Sequence, residues 1–122
     1  MNYTSNFPVN QRSIPLCVEE QASKLFEEFQ EVMANCEVVV VDDGTGEDQL
    51  AVNEILDTPN FCMELIDLIH TADGVLRKLK EKGVPVDLYY KMVLSKNAQR
   101  GDYSEEDCNK WGLEYVSEEE TN

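Results

Sequence analysis

The chain lacks the residue patterns of several common functional classes. No G-x-x-x-x-G-K-[ST] phosphate loop is present. No basic-plus-apolar signal stretch opens the sequence, and no apolar run approaches the roughly 20 residues that span a bilayer. The chain has four cysteines, Cys17, Cys36, Cys62 and Cys108. They form no C-x-x-C pair and have no neighbouring histidine, which excludes the usual zinc spacing and indicates reduced thiols. We therefore expect a cytoplasmic protein without membrane contact.

Basic residues are also scarce. Lys and Arg total 10 against 25 Asp and Glu in 122 residues, giving a formal net charge of -15. Such a charge repels nucleic-acid backbones and anionic lipids, so we expect neither as a partner. Nucleotides remain compatible with this charge if divalent cations sit between the carboxylates and the phosphates.

The apolar residues follow a helical period over most of the chain. A helix is predicted from Leu16 onward, a second over Phe61–Leu79 ending at Gly83, and a third after Asp87. Between the first two, Val38–Val41 fits either a strand or a helix, and Asp48–Leu56 is a short helical candidate. The pattern predicts an all-α fold, a four- to five-helix bundle. Its expected parts are an arm (residues 1–15), a helical domain (16–103) and an acidic tail (104–122).

Paired carboxylates lie on the two predicted long helices. Residues three apart share a helix face, so Glu28 pairs with Glu31 and Glu64 with Asp67. If the helices pack antiparallel, these four carboxylates converge, with Glu27 close by. Mg²⁺ would offset their repulsion, because it prefers hard oxygen ligands. Solvated helix faces are the alternative in a chain with 25 acidic residues.

The same motifs resemble a known family. Glu27-Glu28-Phe29-Gln30-Glu31 and Glu64-Leu65-Ile66-Asp67 are similar to the E-E-x-x-E and E-x-x-D signatures of the all-α nucleoside triphosphate (NTP) pyrophosphohydrolases, which include MazG and phosphoribosyl-ATP pyrophosphohydrolase. The connection Gly83–Asp87 and the stretch Lys96–Gly101 also resemble family elements in order and placement. The likeness runs from about Glu20 to Tyr103.

The resemblance implies a site and a reaction. Its expected metal ligands for Mg²⁺, with Mn²⁺ as a substitute, are Glu28, Glu31, Glu64 and Asp67. Glu27 and Glu28 would be catalytic, Glu27 as a ligand or as the group that positions the attacking water. Phosphates would contact Lys96, Asn97 and Arg100. The reaction would convert an NTP and water into a nucleoside monophosphate (NMP) and pyrophosphate, in a dimer or tetramer.

Some features leave alternatives open. His70, the single histidine, lies one turn after Asp67 and is predicted either to face the substrate or to be structural. The gap between Glu31 and Glu64 is longer than the family usually shows, which indicates an insertion over Val38–Pro59. Val93 stands where some relatives carry an asparagine before the lysine. Competing functions are an acidic interaction protein that mimics DNA charge, and a relative that binds nucleotides without cleaving them.

Overall fold

Four α-helices and one two-stranded β-ribbon make up residues 2–117, the part of the chain that the computed structural model describes. In chain order they are α1 (Val18–Met33), β1 (Cys36–Asp42), β2 (Asp48–Ile55), α2 (Thr58–Glu81), α3 (Val86–Gln99) and α4 (Glu105–Trp111), preceded by a 3-10 turn at Gln11–Ser13. The end of the predicted acidic tail, residues 118–122, lies outside the described residues. None of the helices over residues 2–117 has the length and apolarity needed to cross a membrane.

The all-α prediction is wrong, because the segment between the two long helices is an antiparallel β-ribbon. Val38 pairs with Val52 and Val40 with Leu50 across the two strands. Branched side chains favour such cross-strand pairs over a helix. Gly44 and Gly46 supply positive φ angles of 88° and 87° in the turn. The helical candidate at Asp48–Leu56 is therefore strand β2, and the fold is mixed α and β.

The chain divides into two compact units. One comprises Asn6–Glu81, and the other joins the segment up to Ser5 to the chain from Lys82 onward. In the first unit α1 packs against α2 and the ribbon follows the end of α1. In the second, the backbone amide of Tyr3 donates to Asp87 Oδ1 (2.8 Å), and the Tyr3 and Tyr90 rings meet edge to face.

Asn35, which precedes β1, forms hydrogen bonds at the base of the ribbon. Its carbonyl oxygen accepts from the backbone amide of Leu56 (2.8 Å). Its Oδ1 accepts from Asn60 Nδ2 (2.7 Å), and its Nδ2 donates to the carbonyl of Glu31 (3.0 Å). These bonds tie the end of α1 to the start of α2, which positions the two helices that carry the predicted metal ligands.

Candidate metal centre

Helices α1 and α2 present the predicted carboxylates to each other. Glu28 projects from α1, and Glu64 and Asp67 project from α2, which packs against α1. One carboxylate oxygen from each of these three residues lies within 4.8 Å of the others. Glu28 and Glu64 are half-buried, and Asp67 is exposed. The structure thus brings together three of the four predicted ligands at a distance that a single cation can bridge.

Two oxygens of this cluster are buried without a hydrogen-bond partner among the described residues. They are Oε2 of Glu28 and Oε2 of Glu64. A buried carboxylate oxygen without a donor loses its hydration and gains nothing in return, so it destabilises the fold. A divalent cation bound between the carboxylates would offset this cost. This donor set, made only of carboxylates, fits a hard cation such as Mg²⁺ or Mn²⁺.

The electrostatics of the cluster reflect the same crowding. Burial raises the pKa of Glu28, and the negative charges of Glu31 and Asp67 raise it further. Burial also raises the pKa of Glu64, together with a hydrogen bond to Glu31 and the charge of Glu31. A raised pKa means that full ionisation of the carboxylates in the cluster is unfavourable. A bound cation would make it favourable.

Glu31 and Glu27 occupy different positions relative to the cluster. Glu31 is exposed, and its negative charge raises the pKa of both Glu28 and Glu64. It does not belong to the three-residue group, so its role as a metal ligand stays a prediction. Glu27 is also exposed on α1 and does not belong to the three-residue group. Its predicted role in positioning water stays a prediction.

The predicted phosphate-binding residues lie in the other compact unit. Lys96 and Asn97 occupy the last turn of α3, and Arg100 caps its end. The Nδ2 of Asn97 donates to the Tyr103 hydroxyl at 3.2 Å, so this side chain has a local structural role. Contact of these three residues with phosphate stays a prediction.

His70 is held by the segment that precedes α1. Its ring stacks on Phe7, with centroids 4.6 Å apart and an interplanar angle of 10°. Its Nε2 lies 3.3 Å from the carbonyl oxygen of Pro8. These contacts fit the structural role, which is one of the two roles predicted for His70. The same residue also lines a small cavity of about 100 Å³ that reaches Glu28, so a role beside the substrate stays compatible with its position.

No family model, curated protein or solved structure matches the chain. A family or a function for this chain is therefore a proposal, which rests on the motifs and on the chemistry of the carboxylate cluster.

Sequence reasoning missed two residues near this site. Gln21, one turn of α1 before Leu25, is 4 % exposed, and its Oε1 is buried without a hydrogen-bond partner among the described residues. Gly74 interrupts the helical pattern of α2 and lines the small cavity together with Glu28. A glycine inside a strongly periodic helix is a signal of close approach or open space, and it could have marked this position.

Proposed function

We propose that this chain is a Mg²⁺-dependent NTP pyrophosphohydrolase that converts an NTP or dNTP and water into the monophosphate and pyrophosphate. The observation that carries the proposal is the meeting of Glu28, Glu64 and Asp67 oxygens within 4.8 Å, two of these residues having buried, unpartnered oxygens. A solvated acidic face would leave such oxygens in water. The cluster instead has the composition of a site for a cation and its phosphate ligand.

Each residue of the site would have its own role in the reaction. Glu28, Glu64 and Asp67 would hold Mg²⁺, with Glu31 as the nearest further donor. The metal supplies positive charge that neutralises the phosphates and favours deprotonation of a nearby water. Glu27 would orient the attacking water and accept its proton. A bond would form between the water oxygen and the α-phosphorus. The bond from the α-phosphorus to the oxygen that bridges the α- and β-phosphates would break, so that pyrophosphate leaves.

Self-association completes the proposal. Large apolar side chains stand exposed on α1 and α2, where a monomer would leave them in water: Phe26 (75 %), Phe29 (53 %), Met63 (58 %), Ile66 (48 %) and Ile69 (52 %). A second copy of the chain would cover these faces by packing helix against helix, which supports a dimer or tetramer. We place the enzyme in the cytoplasm, where its nucleotide substrates are.

A direct assay tests the reaction. Purified protein with Mg²⁺ is expected to release pyrophosphate from at least one member of a panel of canonical and modified NTPs and dNTPs, and chelation of the metal should stop the release. Mn²⁺ should restore it. The monophosphate and pyrophosphate should form in equal amounts, since one bond is broken. Absence of cleavage across the panel with both metals would refute the enzyme, and diffuse, weak Mn²⁺ binding would then favour an acidic interaction protein.

The oligomeric state gives a second check. We expect light scattering on the eluting protein to report a mass of two or four chains of 13.9 kDa. Phe26→Ser combined with Phe29→Ser should shift the mass toward one chain, because it removes the most exposed aromatic side chains of α1. A wild-type protein that stays monomeric at all concentrations would contradict this part of the proposal.

A further inference from the structure

A second cavity lies beside the carboxylate cluster, within the same compact unit. It has a volume of about 510 Å³ and lies between the segment 6–16 and the second half of α2. Volumes of about 300–1,000 Å³ are typical of sites for small organic ligands. Its lining includes Pro8, Asn10, Gln21, His70 and Gly74. The cavity therefore has the size of a ligand site and mixes apolar surface with a few polar groups.

The large cavity and the small cavity at Glu28 adjoin each other. Both are lined by Asn10, Ser13, Gln21, His70 and Gly74. Along α2, Gly74 follows Asp67 by seven residues, or about 10 Å at the helical rise of about 1.5 Å per residue. A nucleotide extends over such a distance from its phosphates to its base. A ligand whose phosphates lie at the cluster would thus reach the large cavity with its other end.

The charged side chains that line the large cavity indicate which end of a nucleotide it can bind. The Arg77 side chain pairs with Asp73 at 3.1 Å and donates to the carbonyl of Phe7. Lys78 Nζ donates to the carbonyl oxygens of Ser13 (3.1 Å) and Ile14 (2.9 Å), and also to that of Leu16. These cations are already used to hold the segment 6–16, so they are poor phosphate ligands. Lys80 and Glu81 also line the cavity. The part of the lining that it shares with the small cavity contains no Asp, Glu, Lys or Arg, so this part suits an uncharged group.

Polar groups suitable for reading a base are nevertheless present. Gln21 Nε2 donates to the carbonyl of Ser13 (3.2 Å), while its Oε1 has no partner among the described residues. His70 is fixed in orientation by its stack on Phe7 and its contact with Pro8. A fixed aromatic ring and a fixed amide at the wall of a cavity are elements from which sites for heterocyclic bases are built.

We propose that this cavity binds the base and sugar of the nucleotide, with Gln21 and His70 as the residues that select the base. The inference rests on the proposed function, because it assigns the phosphates of the same ligand to the carboxylate cluster. It assigns His70 a contact with the substrate, which is one of the two roles predicted for this residue.

Gly74 offers a sharp test. A Cβ added at Gly74 would meet nothing within 4 Å, and the residue lines both cavities. Gly74→Phe should therefore fill the space with a side chain, while Gly74→Ala should leave it open and favour the helix. We expect Gly74→Phe to lower kcat/KM for the preferred nucleotide by about 100-fold or more, with Mn²⁺ binding unchanged. Gly74→Ala, which adds one methyl group, should lower kcat/KM much less than Gly74→Phe, and Gly74→Leu, with a smaller side chain, serves if the phenylalanine variant fails to fold.

A second readout needs no catalysis. His70 is the only histidine in the chain, so its imidazole proton signals in an NMR spectrum report on the cavity alone. Titration of the wild type with single nucleosides, which carry no phosphate, should move these signals saturably for the preferred base. The shift should disappear in the folded Gly74→Phe variant and persist in Gly74→Ala.

The outcomes separate the two proposals. If the wild type cleaves nucleotides and the folded Gly74→Phe variant cleaves them equally well, the cavity inference is overturned and the enzyme stands. If no nucleotide is cleaved, the enzyme is lost. A nucleoside shift of His70 that Gly74→Phe abolishes would then still support the cavity as a base site, and its absence for every nucleoside would overturn it.

Discussion

Glu64→Gln is expected to abolish pyrophosphate release, with a loss in kcat of more than about 100-fold. The substitution keeps the shape of the side chain but removes one of the three charges whose oxygens lie within 4.8 Å of one another. It also replaces one carboxylate oxygen of Glu64, whose Oε2 is buried without a hydrogen-bond partner among the described residues, by an amide nitrogen, which cannot bind a cation. Metal-dependent turnover should therefore fall because the cation is lost, and Asp67→Asn should act in the same direction.

The matched control is Glu47→Gln in the turn of the ribbon. It removes the same charge from an exposed residue outside the cluster, so turnover and Mn²⁺ affinity should match those of the wild type. Circular dichroism should show equal helicity in all these variants. Retained turnover in Glu64→Gln, with the fold intact, would move the metal site elsewhere in the chain.

Glu28→Gln is expected to stabilise the metal-free protein while it weakens metal binding. Burial and the neighbouring carboxylates raise the pKa of Glu28, so its ionised form is less favourable in the folded state than in the unfolded chain. At neutral pH and without metal we therefore expect the variant to have a higher Tm than the wild type. With excess Mg²⁺ the order should reverse, since only the wild type gains the full binding energy.

The pH dependence of this effect has a definite sign. The folded state, with its raised pKa, keeps a proton that the unfolded chain has released. The stability that this proton contributes is present below the ordinary glutamate pKa of 4.5 and is lost as pH rises through the raised value. The Tm advantage of Glu28→Gln without metal should therefore grow from about pH 4.5 toward neutrality. An advantage that is constant with pH would contradict the crowding described for the cluster.

The carboxylate pairs were predictable because each pair depends only on residues that are close together in the sequence. Glu28 and Glu31, like Glu64 and Asp67, are three residues apart beside an apolar stripe, and a helix period alone places each pair on one face. The remaining step, that α1 packs against α2, buries only part of those stripes, because Phe26 and Phe29 stay exposed. The structure brings Glu28, Glu64 and Asp67 together, while Glu31 lies outside this group.

The ribbon was not predictable in the same way. The run of valines at Val38–Val41 indicated β-structure, but Ala51, Asn53 and Glu54 in its partner strand give no clear strand signal by themselves. Pairs such as Val40 with Leu50 decide the conformation, and these connect residues distant in sequence. The bonds of Asn35 and the lining of the large cavity likewise depend on tertiary contacts, as does the placement of the segment 6–16.

Because the ribbon leaves and re-enters the helical pair through the bonds of Asn35, its length does not set the separation of α1 and α2. We expect that residues gained or lost toward the glycine turn leave the register of Glu28 against Glu64 unchanged. Such a protrusion is a natural place for a graft. A peptide epitope or a reporter inserted between Gly44 and Gly46 would be carried at the tip of the ribbon, away from α1 and α2.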